Sequence, residues 1–174
     1  LQAYDIRGTV PDQMDAELAR ATGRAFVQVL GRPEDPVRRI VIGHDMRPSS
    51  PELARAYAQG ANEAGSDVVL IGLCSTDQLY FASGHLGLPG VMFTASHNPA
   101  QYNGIKQCRP FAAPVGLESG LAQIRDLVLE GAPLEQPARP ASTVVEETDV
   151  LEAYVDHLLA WRLSPGGVSR WSSS

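Results

Sequence analysis

Ser96, His97, Asn98 and Lys106 are the side chains best placed for chemistry in this chain. They lie in two adjoining stretches, Gly90-Val91-Met92-Phe93-Thr94-Ala95-Ser96-His97-Asn98-Pro99 and Tyr102-Asn103-Gly104-Ile105-Lys106. A hydroxyl, an imidazole and an ammonium gathered at one place could serve three reactions. Acyl transfer by an activated serine fits poorly, because residues 94–98 form no Gly-x-Ser-x-Gly elbow and a histidine adjacent to its serine is badly placed to be its base. Metal binding fits poorly too, since one histidine without nearby Cys, Asp or Glu is a thin ligand set. Phosphoryl transfer through Ser96 suits the group best. There a protein mainly positions groups and neutralises charge, which is work for cationic Lys106 and the donors His97 and Asn98.

The elements that must position this group alternate in type. Val91 to Phe93 is a short apolar run that reads as a buried strand, ended by small polar residues and by Asn98-Pro99, where proline restricts the residue before it. Asn103-Gly104 reads as the turn of a hairpin, with residues 105–109 as its return strand. Upstream, Gly8 is expected at a tight turn. Residues 14–31 read as an amphipathic helix with Leu18, Ala21, Ala25 and Val29 along one face, and residues 38–42 as a strand. A second helix is expected behind an N-cap at Ser50, followed by a strand over 67–73 that is buried on both faces. Further helices are expected over 77–87 and 116–131, with residues 110–114 breaking regular structure. Pro133, Pro137 and Pro140 mark 132–142 as a semi-rigid connector. Asp149 should cap a last helix whose apolar face is Leu151, Tyr154, Val155, Leu158 and Leu159. Strands alternating with helices predict an α/β fold of three layers, with helices on both faces of a mixed sheet and the Ser96–Lys106 hairpin making one edge antiparallel. The reactive loop then sits where a parallel strand ends, the usual ligand position in such sheets.

Composition bounds the function. The chain has 174 residues, enough for one good core with a small appendage, and its 44% hydrophobic and 20% charged residues are ordinary for a soluble globular domain. A net charge of −6 argues against nucleic-acid binding and against a basic membrane-facing patch. No apolar run approaches membrane-spanning length and no signal peptide is visible, so a cytoplasmic location is expected. Cys74 and Cys108 fit no zinc spacing and read as buried free thiols. Thirteen of the 14 basic residues are arginines, and Lys106 is the single lysine. Its retention suggests that a compact, titratable ammonium is needed there.

Thr-Ala-Ser-His-Asn-Pro at 94–99, followed by Tyr-Asn-Gly-Ile-Lys at 102–106, resembles the active-serine loop of the α-D-phosphohexomutases, the family of phosphomannomutase and phosphoglucomutase. Tyr4-Asp5-Ile6-Arg7-Gly8 is similar to that family's N-terminal segment, whose arginine faces the phosphoserine. Gly43-His44-Asp45-Met46-Arg47 is similar to its Gly-x-Asp-x-Arg element, in which Asp45 and Arg47 are expected to tie the strand end to neighbouring loops. The resemblance implies a phosphate carried on Ser96 between the 1- and 6-positions of a hexose. Arg7 and Lys106 would neutralise it, His97 and Lys106 would move protons, and Tyr4 and Asn98 would hold the loop. It also implies Mg2+ bound through the Ser96 phosphate and a hexose 1,6-bisphosphate as activator.

The family's magnesium, sugar and phosphate loops are absent from these 174 residues, so residues 1–162 correspond to the first of four domains and 163–174 to a tail. The implied partners are a hexose phosphate and the remaining domains, and negligible turnover is expected of the chain alone. Thr94 in place of a serine leans toward hexose rather than glucosamine mutases. Thr-Asp-Gln-Leu-Tyr-Phe-Ala-Ser-Gly at 76–84 resembles bacterial phosphomannomutases, which makes mannose the expected sugar, with phosphoglucomutase the alternative within the enzyme class. A binding or assembly module that kept the fold and lost the chemistry is the alternative from a different class.

Overall fold

A computed structural model describes residues 5–32, 34–131 and 145–163. Its sheet has seven strands: β1 (Asp5–Thr9), β2 (Arg39–His44), β3 (Asp67–Leu73), β4 (Gly90–Phe93), β5 (Tyr102–Arg109), β6 (Ala113–Pro114) and β7 (Val145–Glu147). Their order is β1-β5-β4-β2-β3-β7, with β6 beside the end of β5. Strands β4, β2, β3 and β7 run parallel, and β5 is antiparallel to both of its long neighbours. The antiparallel strand is therefore one place in from the edge, covered by β1, and not the edge strand expected from the sequence.

Period-two alternation explains why both faces are covered. Ile40, Ile42, Val68, Val91 and Phe93 face one core, shared with α1 (Ala16–Leu30), α2 (Ser50–Glu63) and α4 (Leu121–Glu130). Val41, Val69, Ile71 and Met92 face a thinner one, shared with Leu79 and Ala82 of α3 (Thr76–Leu86) and with Val150, just before α5 (Leu151–Leu163). The expected three layers are present, with one helical layer much thicker than the other.

Several local expectations are corrected. Asn103-Gly104 makes no turn; both lie inside β5, paired with Gly8 and Arg7 of β1, and the reversal comes earlier, where Asn98 N donates to Ala95 O and Tyr102 N to Pro99 O. A Cβ at Gly104 would sit 2.6 Å from Thr94 O and 3.0 Å from Ile6 O, so close backbone approach explains the glycine. Gly8 likewise lies within β1, and the turn follows at Thr9. The buried residues of α1 are Ala19, Thr22, Gly23, Ala25, Phe26 and Val27. Of the expected face, Ala25 is buried while Leu18, Ala21 and Val29 are half-buried at its margin. The helix leans on α2 through glycines, with a Cβ at Gly60 falling 1.9 Å from Arg20 O. Ser49, not Ser50, is the N-cap residue of α2. The helix expected over 116–131 begins only at Leu121, because Gly120 takes φ +137° and residues 117–119 form a separate 3-10 turn. Strand β7 was not anticipated, its Val-Glu-Glu being too short and too exposed to show alternation. Asp149 does accept from Leu151 N at 2.8 Å, yet the expected apolar face of α5 stays largely uncovered. The connector at 132–142, the tail at 164–174 and Tyr4 lie outside the described residues.

Candidate active site

Strand β4 ends at Phe93, and the next turn hands Ser96 to the surface at the C-terminal edge of the parallel strands. Ser96 is exposed and has φ +57°, a left-handed conformation that a non-glycine residue adopts only where its surroundings impose it. Thr94 contributes by accepting a hydrogen bond from Ser96 N at 3.0 Å, while Thr94 N is tied to Gly104 O.

The larger constraint is Arg47. Its Nη1 donates to Pro99 O (2.8 Å) and Tyr102 O (2.9 Å), and its Nη2 to Ser96 O and Asn98 O (both 2.8 Å). Its Nε meets Asp45 Oδ2 at 3.0 Å. One guanidinium fork thus collects four carbonyls of the reactive loop, a task for which a rigid planar array of donors is suited. Asp45 is fixed in turn, accepting from Arg47 N and from Ser50 Oγ at 2.7 Å, and Asn103 Nδ2 donates to both Ser49 and Ser50 hydroxyls at 2.9 Å. The buried Asn103 and Ser50 therefore connect β5, α2 and the loop. The expectation that Asp45 and Arg47 tie the strand end to its neighbours agrees with this geometry.

The two cations are organised by a residue to which sequence reasoning assigned no role. Asp5 Oδ2, almost wholly buried, accepts from Arg7 Nε at 2.9 Å, pairs with Arg7 Nη2 at 2.8 Å and receives Lys106 Nζ at 3.2 Å. A strand accounts for the arrangement: Asp5 and Arg7 share one face of β1 at a spacing of two, and Lys106 lies directly opposite Asp5 in β5. Once 5–9 is read as a strand, that spacing is the signal that points to Asp5. Arg7 continues to the loop, its Nη1 donating to Asn98 Oδ1 at 3.3 Å. His97 Nδ1 lies 3.3 Å from Ser96 Oγ, so a histidine adjacent in sequence does reach the hydroxyl, helped by the left-handed turn. Among the described residues no carboxylate is bonded to His97 to orient it, and neither cation is hydrogen-bonded to Ser96 itself.

Beside Ser96 lies an open cleft of about 830 Å³, lined in part by Met46, Leu73, Ser75, Thr94 and Asn98. Cys74 also borders it, but burial pushes its thiol up to about 11, which makes it a poor nucleophile. The described residues contain no group of three or more His, Cys, Asp or Glu able to hold a metal ion. Asp5 and Asp45, the carboxylates bonded within this group, are already committed to Arg7, Lys106 and Arg47. These residues alone do not fit a magnesium ion. No helix among the described residues is long and apolar enough to cross a membrane.

Comparison with known proteins places this geometry among relatives. Residues 1–133 match the model described as phosphoglucomutase/phosphomannomutase, alpha/beta/alpha domain I. A Xanthomonas campestris protein named for phosphohexose mutases is 43% identical over 161 residues, which cover 92% of this chain and 34% of that protein. A Klebsiella pneumoniae phosphomannomutase is 41% identical over 157 residues, covering 89% of this chain and 96% of its own sequence. The crystal structure of a phosphoglucomutase/phosphomannomutase family protein from Burkholderia thailandensis superimposes with a TM-score of 0.76 at 33% identity, covering 91% of this chain and 35% of the other. The chain thus spans about a third of the Xanthomonas and Burkholderia proteins.

Proposed function

We propose that this chain, which belongs to the phosphoglucomutase/phosphomannomutase family and forms its α/β/α domain I, carries the phosphate that the enzyme exchanges with a hexose phosphate. The observation that bears most weight is the exposed, left-handed Ser96 clamped at the end of β4, in a loop that Arg7, held with Lys106 on Asp5, reaches at Asn98. A phosphoserine carries about −1.5 to −2 charges, and an arginine fork with an ammonium matches its oxygens.

In the proposed reaction a sugar hydroxyl attacks the phosphorus of phosphoserine 96. The bond from phosphorus to Ser96 Oγ breaks, a bond from phosphorus to the sugar oxygen forms, and the sugar's hydroxyl proton is transferred to Oγ. The bisphosphate reorients and the step reverses at the other phosphate. Arg7 and Lys106 stabilise charge on the moving group, His97 and Lys106 serve the proton, and Asn98 holds Arg7 against the loop. Magnesium would supply further neutralisation, and its carboxylate ligands would lie outside the described residues. Mannose 6-phosphate and mannose 1-phosphate are the proposed pair, a choice supported by the phosphomannomutase name of the Klebsiella relative; glucose phosphates are the alternative.

Intact-mass measurement after incubation with mannose 1,6-bisphosphate tests this. One phosphate is expected on the wild type and none on Ser96→Ala. A wild-type chain that takes up no phosphate, even when supplied with the two thirds of the Xanthomonas relative that it does not cover, would overturn the reading in favour of a binding module. Negligible mutase turnover is expected from these 174 residues alone.

A further inference from the structure

A second cavity, of about 390 Å³, opens at the C-terminal end of β3 and shares no lining residue with the cleft beside Ser96. A bulge makes room for it: Ile42 pairs with Leu70 and Gly43 with Gly72, so Ile71 of β3 is left unopposed. Gly72 takes φ +68°, and a Cβ there would meet no atom within 4 Å. The walls carry charges of both signs. Arg55 stands on α2, Glu147 ends β7, and Asp149 follows two residues later. Among the described residues, the Arg55 and Glu147 side chains form no hydrogen bond or ion pair, and Asp149 uses only Oδ1, which accepts from Leu151 N. Opposite charges thus line one cavity without meeting. His44 adds an acceptor. Its Nδ1 lies 2.9 Å from Asp45 O, and because a carbonyl can only accept, Nδ1 carries the proton and Nε2 of the neutral ring offers a lone pair.

We propose that this cavity binds a small zwitterion, a molecule with a carboxylate at one end and an ammonium at the other. Arg55 takes the carboxylate with its guanidinium fork, while Glu147, Asp149 and His44 Nε2 take the ammonium. A simple anion would match Arg55 but face two carboxylates, and a simple cation would leave Arg55 unmatched. Among the described residues, His44, Glu147 and Asp149 form no metal-binding group, so the positive end is organic. The volume lies toward the lower end of the range of about 300–1,000 Å³ typical of ligand sites, and Ala54 and Leu70 add uncharged lining for a short apolar link between the two ends.

Titration of the 174-residue chain with 4-aminobutyrate, butyrate and butylammonium, followed by backbone amide shifts, tests the proposal. The three probes share a four-carbon chain and differ only in their charged ends. Saturable shifts at residues 42–45, 51–55, 70–72 and 147–151 are expected with 4-aminobutyrate, which should bind at least tenfold more tightly than either one-ended probe. Arg55→Gln and Glu147→Gln should each remove that advantage. Both side chains are exposed, so the thermal midpoint should stay unchanged in each variant. A one-ended probe that binds as tightly as 4-aminobutyrate overturns the proposal, as does an advantage that survives in either variant. Absence of saturable shifts at these residues with 4-aminobutyrate overturns it too. None of these readouts involves Ser96, so failure of phosphate uptake and failure of zwitterion binding remain distinct.

Discussion

Replacing Arg47 probes whether one guanidinium shapes the reactive loop. Arg47→Ala removes four bonds to loop carbonyls and the pair with Asp45, whereas Arg47→Lys keeps the charge but loses the fork. The bonds to Ser96 O and Pro99 O are solvent-exposed, so water can replace them; those to Asn98 O and Tyr102 O are partly buried. Hydrogen bonds to charged groups contribute about 1.5–3 kcal/mol net, so the two sheltered ones set a loss of about 3–6 kcal/mol for Arg47→Ala. At about 2–4 °C per kcal/mol for a domain of this size, the thermal midpoint should fall by roughly 6–24 °C. Arg47→Lys should lose about half of that free energy. The discriminating assay is hydrogen exchange at residues 96–102 together with urea unfolding: loop amides should open at least tenfold more readily even in the lysine variant, and phosphate uptake at Ser96 should slow in step. An alanine variant within about 1 kcal/mol of wild type, with unchanged loop exchange, would refute the clamp, because the bonds would then contribute less than the mean value for one of them.

Further outcomes follow from the same geometry. Asp5→Asn should slow phosphate uptake at least tenfold by intact-mass kinetics, because Arg7 and Lys106 lose the carboxylate that draws them together; uptake at the wild-type rate would remove Asp5 from the site. Gly104→Ala should cost at least about 2 kcal/mol in urea, since its Cβ meets backbone oxygens on two sides. Burial pushes the Glu63 carboxyl up, but bonds from Arg20 and Arg24 outweigh that and hold it below its ordinary value of 4.5. Its stabilisation is therefore present above pH 4.5 and lost as pH falls through the lower folded value, so Glu63→Gln should be less stable than wild type at neutral pH and converge with it in acid. Cys74, raised by burial from 9.0 to about 11, should resist a thiol reagent at pH 8 until urea is added. Its contribution to stability should hold below pH 9 and fade as pH rises through 11.

The layers were readable because the strands carry period-two patterns that survive burial on both faces: Ile40 and Ile42 turn one way, Val41 the other. Failures came where local signals met tertiary contacts. Asn103-Gly104 has turn chemistry, but a buried Asn103 can satisfy its amide on Ser49 and Ser50, and Gly104 is needed for strand proximity rather than for positive φ. The apolar positions of α1 suggested a face of Leu18, Ala21, Ala25 and Val29, of which only Ala25 is fully buried. Close contact with α2 instead selected the glycine and small-residue side, a choice that depends on the partner helix.

At the site, Arg7 came only from the family resemblance, whereas Ser96, His97, Asn98 and Lys106 could be named from residue types because they sit in one loop and one flanking strand. The conformation that displays Ser96 could not. A left-handed serine is uncommon on intrinsic preference, and the bonds that impose it come from Arg47, forty-nine positions away, through carbonyls that carry no residue identity. Asp5 was hidden for a related reason. Its role exists only when β1 and β5 are placed in register, so that one carboxylate faces a cation from each strand. This division has a consequence for how the site can fail. On the proposed reaction, substitutions at Ser96, His97 or Lys106 should remove chemistry from an intact loop, whereas substitutions at Arg47, Asp45, Ser50 or Asn103 should leave the proposed reacting groups in the chain and remove the geometry that aims them. The second class should therefore reduce phosphate uptake in proportion to loop opening, a correlation that the first class must break.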